Sequence, residues 1–216
     1  MINLKALPKY TFGEEVGNSV THGVMAALAL FALPFSAIFT YAKWGILAGV
    51  SVSIFVIAIF LMFLSSTLYH AMARETKHKA IFQKLDHSMI YVAIAGSYTP
   101  IALVTIGGWQ GIVIVCVQWA VVICGIVYKC IAIEKLPKLS LTIYLIMGWT
   151  IVAVLPTFIQ NSNLIFRILI IAGGVFYSAG CVFYAKKGIK FFHMIFHLFI
   201  NFGVICHYIG IVFFLK

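Results

Sequence analysis

Residues 45–70 read GILAGVSVSIFVIAIFLMFLSSTLYH, 26 residues without an Asp, Glu, Lys or Arg. At about 1.5 Å per residue such a run reaches ~39 Å as a helix, enough to cross a hydrocarbon core about 30 Å thick. A barrel strand would alternate apolar and polar positions over about ten residues, and this stretch does not alternate. Six further apolar runs flank it, over residues 19–41, 86–106, 110–130, 139–159, 164–184 and 193–215. Gly107, Gly108, Pro137 and the Asn161, Ser162, Asn163 cluster punctuate them, as turn-forming residues do. The pattern predicts an all-α membrane protein, a seven-transmembrane-helix bundle filling residues 1–216 as a single domain.

Composition agrees. The chain is 63% hydrophobic and 9% charged, with a mean hydropathy of +1.10, where soluble domains are about half apolar. The first apolar run follows Glu14, Glu15 and Asn18 and is too long for the h-region of a cleaved signal peptide, so it is expected to stay as the first helix. Cys116, Cys124, Cys130, Cys181 and Cys206 are odd in number and form no C-x-x-C pair, which argues against a disulfide framework or a cysteine zinc site. They read as packing residues.

The basic residues fall on alternate loops. Lys5, Lys9, Arg74, Lys77, Lys79, Lys84, Lys129, Lys135, Lys138, Lys186, Lys187 and Lys190 make up 12 of the 15, against Lys43, Arg167 and Lys216 on the other side. Basic loops stay in the cytoplasm, so the N-terminus is predicted cytoplasmic and the C-terminus outside, opposite to G-protein-coupled receptors. The net charge of +10 is spread in small groups beside apolar runs. That excludes a nucleic-acid arm or stripe and suits contact with anionic headgroups of the lipid bilayer, here the plasma (cytoplasmic) membrane.

With this topology, polar residues from four separate stretches reach one membrane face. Ser66 and His70 end the second run, Asp86 and His87 open the third, His193 and His197 open the seventh, and Glu15, Asn18 and His22 precede or enter the first. His193 and His197 are four apart and share a helix face. That is the spacing by which a helix presents two imidazoles to zinc, and a third histidine with a water completes a tetrahedral catalytic site. His70 is the natural third. Ser66, one turn deeper than His70, can hydrogen-bond to the metal-bound water or to a substrate carbonyl. Asp86 can take a proton from that water or orient a ligand from behind. A lone H-x-x-x-H near a helix end is otherwise a packing or headgroup feature; the arrival of His70, Asp86 and Ser66 at the same face favours the metal.

Other polar residues read more plainly. His22, Asn18 and Glu15, spaced by three and four, are either supports behind the ligands or an ordinary helix start capped by Asn18. His87 points away from Asp86 around the helix and is expected to face lipid or the interface, and His78 belongs to a solvated loop. His207, 14 residues past His193, lies about 21 Å deeper and cannot join the site. Trp44, Trp109, Tyr41 and Tyr184 sit at run ends as interfacial anchors. Ser97, Tyr98, Thr99 and Pro100 predict a kink midway along the third helix, with hydroxyls re-satisfying carbonyls that Pro100 leaves unpaired, and Tyr98 placed to line a cavity.

Several stretches carry a resemblance to a known family. They are Glu14-Glu15-Val16-Gly17-Asn18-Ser19-Val20-Thr21-His22-Gly23, Ser66-Thr67-Leu68-Tyr69-His70, Leu85-Asp86-His87-Ser88 running on to Ala95-Gly96-Ser97-Tyr98-Thr99-Pro100, and His193-Met194-Ile195-Phe196-His197 with His207 after it. Together they resemble the hemolysin III branch of the progestin and adipoQ receptor family, which includes the adiponectin receptors and is distantly similar to the alkaline ceramidases. The resemblance covers almost the whole chain. It implies seven helices with a cytoplasmic N-terminus and zinc held by His70, His193 and His197. It further implies an Asp86 that contacts the zinc-bound water, and a Ser66 belonging to the S-x-x-x-H motif of a proposed membrane hydrolase superfamily.

The resulting expectation is a zinc-dependent hydrolase of a lipid amide or ester, acting on a membrane lipid or fatty-acyl substrate in membrane lipid homeostasis. The alternatives are a hemolysin-type membrane-perturbing or pore-forming protein, and a lipid-sensing receptor-like protein, each with a structural zinc. Against a pore, no ring of charged residues runs through the predicted bundle.

Overall fold

In the computed structural model, which describes residues 8–131, 137–186 and 188–216, helix α1 spans Phe12–Trp44 and so starts ahead of its apolar run. A capping box starts it. Thr11 N–H donates to Glu14 Oε2 at 2.8 Å, and Glu14 N–H donates to Thr11 Oγ1 at 3.4 Å, satisfying two donors that a helix start leaves unpaired. Asn18 is therefore well inside the helix rather than its cap. Lys5, Lys135 and Lys187 of the topology count lie outside the described residues.

Helix α2, Ile46–Ala71, follows α1 after Gly45 alone. Its φ of 84° and ψ of −177° belong to a region that only glycine enters without strain. Helix α3, Lys77–Pro100, is capped by Thr76, whose Oγ1 accepts from Lys79 N–H at 3.2 Å, so Asp86 sits about two and a half turns inside it. Pro100 lacks the N–H that would return to the carbonyl of Gly96, and the chain continues as a π-helical turn over Ile101–Ile106. Ser97 Oγ and Thr99 Oγ1 donate to the carbonyls of Ile94 and Ala95, each at 2.8 Å. The kink predicted at this polar break takes the form of a change in helix type, from α to π after Pro100.

Helix α4, Gly108–Ile131, is followed by a broken crossing: α5 over Pro137–Gly148, a 3-10 turn over Thr150–Val154, and α6 over Leu155–Asn161. Tyr98 bridges the break, donating its hydroxyl to Gly148 O at 2.7 Å and accepting from Ile151 N–H at 2.9 Å. Helices α7, Leu164–Ala185, and α8, Phe192–Phe214, complete the bundle. Among the described residues seven helical segments are long and apolar enough to cross a membrane, the third running Lys77–Ile106 and the fifth Lys138–Asn161. No strand occurs among the described residues, so the all-α, seven-helix expectation is borne out.

Helices α2 and α3 form the centre, as the two most buried crossings among the described residues. Val52, Phe55, Val56, Ile59 and Phe63, each at most 3% exposed, follow the i, i+3, i+4, i+7 spacing of a core-facing stripe, and α2 packs against both α1 and α3. Gly96 permits the α2–α3 approach, since a Cβ there would come within 2.4 Å of Ala58 Cβ. The outer faces stay apolar, with Phe31 78% and Ile38 69% exposed. Apolar surface on both the inner and outer faces is what a helix shows when its solvent is lipid.

Candidate metal centre

At the end of the bundle where α2 stops and α8 starts, three imidazoles converge. One ring nitrogen from each of His70, His193 and His197 lies within 4.8 Å of the other two. His193 Nε2 and His197 Nε2 are 3.2 Å apart. Two nitrogens bound tetrahedrally at about 2.0–2.1 Å from zinc are separated by about 3.3 Å, so this pair already has the spacing of a shared ion.

The partners on the far side of each ring decide which nitrogen carries the lone pair. His70 Nδ1 is 2.7 Å from Glu15 Oε2. A carboxylate only accepts, so Nδ1 holds the proton and Nε2 keeps its lone pair; Nε2 is buried with no partner in the chain. His197 Nδ1 is 3.2 Å from the Asn18 carbonyl oxygen and donates to it, which leaves Nε2 as its acceptor. Donation of the second ring N–H to a carboxylate or backbone carbonyl is the arrangement that orients metal-binding histidines and raises their basicity. These donors fit a zinc ion.

Helix α1 supplies most of this support. Glu15 is held in turn by Lys79, whose Nζ donates to Glu15 Oε1 at 2.8 Å and to Met72 O at 3.1 Å. Lys79 is 1% exposed; counted from the sequence as a loop lysine, it is instead a buried counter-ion. The legible signal was its place seven residues before Asp86, on one face of α3 with Gln83. Glu14 Oε1 accepts from Phe191 N–H at 2.9 Å. Phe191 has φ 62°, uncommon for a bulky residue, and this contact anchors the chain two residues before His193. His22 stacks on His197, with ring centroids 3.6 Å apart and planes 8° from parallel.

The structure thus places Glu15, Asn18 and His22 against the rings of His70 and His197. Ser66 and Asp86, 1% and 8% exposed, line a cavity of about 140 Å³ together with His22, His193 and His197. Ser66 Oγ has no hydrogen-bond partner in the chain. Apolar residues of α5 and α7, among them Leu141, Leu145 and Ile171, form much of the remaining wall. Tyr98 lines it as expected. His87 and Tyr184 also line it, so His87 does not face lipid alone, and Tyr184 combines its place at the end of α7 with a place in the cavity wall. His207 is at the distal end, its Nε2 donating to Ile170 O at 3.1 Å.

A multi-pass integral membrane protein with three histidines turned toward one buried point near a helix terminus is the class that this fold and site define. Residues 10–208 match the haemolysin-III related family, and the chain belongs to that family. It is 40% identical over 195 residues to "Hemolysin-3 homolog" of Bacillus subtilis (strain 168), covering 88% of this chain and 89% of that protein. It is 35% identical over 187 residues to "Hemolysin-3" of Bacillus cereus, covering 87% and 85%. "Monocyte to macrophage differentiation factor" of Homo sapiens is 29% identical over 155 residues, covering 69% of this chain and 64% of that one. The resemblance read from the motifs is borne out.

Proposed function

We propose that this protein is a zinc-dependent hydrolase of a lipid amide or ester, set in the plasma membrane with its histidine cluster on the cytoplasmic side. The observation that carries the reading is that one ring nitrogen from each of His70, His193 and His197 lies within 4.8 Å of the other two, with the Nδ1 atoms of His70 and His197 facing acceptors from α1. The cytoplasmic placement rests on the distribution of basic residues among the loops.

His70, His193 and His197 would hold the ion. Bound zinc supplies Lewis acidity toward a carbonyl oxygen and lowers the pKa of water to about 7. The acyl chain occupies the apolar cavity, which is walled by residues of α2, α3, α5, α7 and α8. Asp86 takes the proton of the attacking water at its carboxylate and returns it to the departing amine or alkoxide. The Ser66 hydroxyl donates to the carbonyl oxygen as negative charge builds on it. Water adds across the C–N or C–O bond, giving a fatty acid and an amine or alcohol. The test is lipid profiling of cells with and without the gene, alongside metal analysis of the purified protein. A specific amide or ester is expected to accumulate in cells lacking the gene, with about one zinc per chain in the protein. Unchanged lipids in these cells would remove the hydrolase.

Lys79 gives a finer test of the metal site. Lys79→Met leaves Glu15 without its counter-ion and is expected to weaken zinc binding about 10–100-fold, the usual cost of losing support behind a ligand. Lys79→Arg retains most of the affinity. Competition with a chromophoric chelator reads the difference, and equal affinity in Lys79→Met and the parent would detach Lys79 from the centre.

A second reading follows from the printed names of the bacterial relatives, "Hemolysin-3 homolog" and "Hemolysin-3": a membrane-perturbing protein whose zinc is structural. It requires no turnover, and Asp86 separates the two.

A further inference from the structure

His193 has a second neighbourhood besides the apolar cavity. On its other side it joins the wall of a vestibule of about 730 Å³, within the roughly 300–1,000 Å³ typical of small-molecule sites. Lys9, Lys84, Lys129, Lys186 and Lys190 line this space, brought together from the N-terminal segment, α3, α4 and the turn between α7 and α8. Glu14 is the one carboxylate among the described lining residues. Both its oxygens are engaged, Oε2 by Thr11 and Oε1 by the Phe191 N–H. Lys9, Lys186 and Lys190 are exposed, while Lys84 Nζ donates to Cys130 O at 3.2 Å and Lys129 Nζ to Ser140 Oγ at 2.7 Å. An ammonium has three donors, so Lys84 retains capacity for a ligand.

The two spaces are adjacent, for His87, Tyr144, Tyr184 and His193 line both. A molecule whose reacting carbonyl lies at the histidines therefore has its acyl chain on the apolar side and the rest of its structure on the cationic side. The carboxyl carbon is the reacting centre itself, so an anion recognised in the vestibule belongs to the headgroup. Phosphate is the anion common to all phospholipid headgroups, and lysines bind it as point charges without fixed geometry. Building on the hydrolase reading, we propose that the vestibule is a phosphate-binding headgroup subsite, and that the substrate is a phosphate-bearing acyl ester or amide rather than a neutral lipid.

Short-chain probes test this in detergent-solubilised full-length protein. Dioctanoyl phosphatidylglycerol is expected to bind at least about tenfold more tightly than dioctanoylglycerol, as a few lysines near an anionic headgroup provide. Lys9→Gln with Lys186→Gln and Lys190→Gln removes that preference. The same charge change at Arg74, Lys77 and Lys138, exposed residues outside the vestibule wall, retains it and separates a built site from the general basicity of this face. In the unaltered protein, raising salt weakens the phosphate-bearing probe only, a readout that needs no variant to fold. Glycerol phosphate binding as tightly as the lipid supports the same phosphate site and assigns it to a soluble phosphoester. Equal affinity for the two lipids, or equal loss of preference in both triple variants, overturns the proposal. Repeating the comparison in His70→Ala/His197→Ala, two residues outside the vestibule wall, separates the two readings, because the phosphate preference persists there even where metal and turnover are absent.

Discussion

Alanine at both His193 and His197 is expected to strip zinc from the purified protein, reducing affinity by at least about 10⁴-fold. Losing a single group behind a ligand costs about 10–100-fold, and here two of three direct donors go, leaving His70 to bind alone. The effect is large because the pair is preset: the two Nε2 atoms stand 3.2 Å apart, and His197 is oriented by the Asn18 carbonyl. The check is zinc content per chain by elemental analysis, with helicity measured by circular dichroism to confirm folding. His207→Ala serves as the control, because His207 contacts Ile170 and its zinc content is expected to match the parent. Zinc retained in the double variant would remove the metal centre and with it the proposed reaction.

The second large effect is at Asp86. Asp86→Asn keeps the shape of the buried side chain and removes its ability to accept a proton. Turnover is expected to fall about 10²–10⁴-fold, the range general acid–base groups supply. Zinc content stays at the level of the parent, because the carboxylate is outside the histidine trio. Ser66→Ala lowers turnover by a smaller factor, and the two losses should not simply add, since both act on one reacting centre. Red-cell lysis by the same Asp86→Asn protein decides the rival function. If lysis is undiminished while zinc is present and turnover is lost, membrane perturbation is the activity and the hydrolase reading fails.

Much of the site was legible because hydropathy assigns depth. Once the apolar runs are drawn, Ser66, His70, Asp86, His193 and His197 fall near one membrane face, and the four-residue spacing of the last two places them on one side of a helix. What stayed hidden was Lys79, Glu14 and the places of His87 and Tyr184 in the cavity wall. A lysine near a helix start looks the same in sequence whether it meets lipid headgroups or a buried carboxylate. Its environment depends on the partner helix, and Glu15 lies 64 residues away in the chain. Asn18 misled for a related reason, since it is a good cap by residue type, yet the Thr11–Glu14 box starts the helix earlier.

The sequence by itself determined the number of crossings and the family, because bilayer thickness converts an uninterrupted apolar length into a helix. Tertiary structure alone decided the chemistry at the ring nitrogens. Acceptors delivered by α1 meet the Nδ1 atoms of His70 and His197 and leave Nε2 of each ring as the lone-pair nitrogen. The rotation of each helix about its axis, set by packing around α2 and α3, also determines which side chains wall the apolar cavity and which the cationic vestibule. Neither is encoded locally, because both depend on contacts between segments that meet only when the bundle closes.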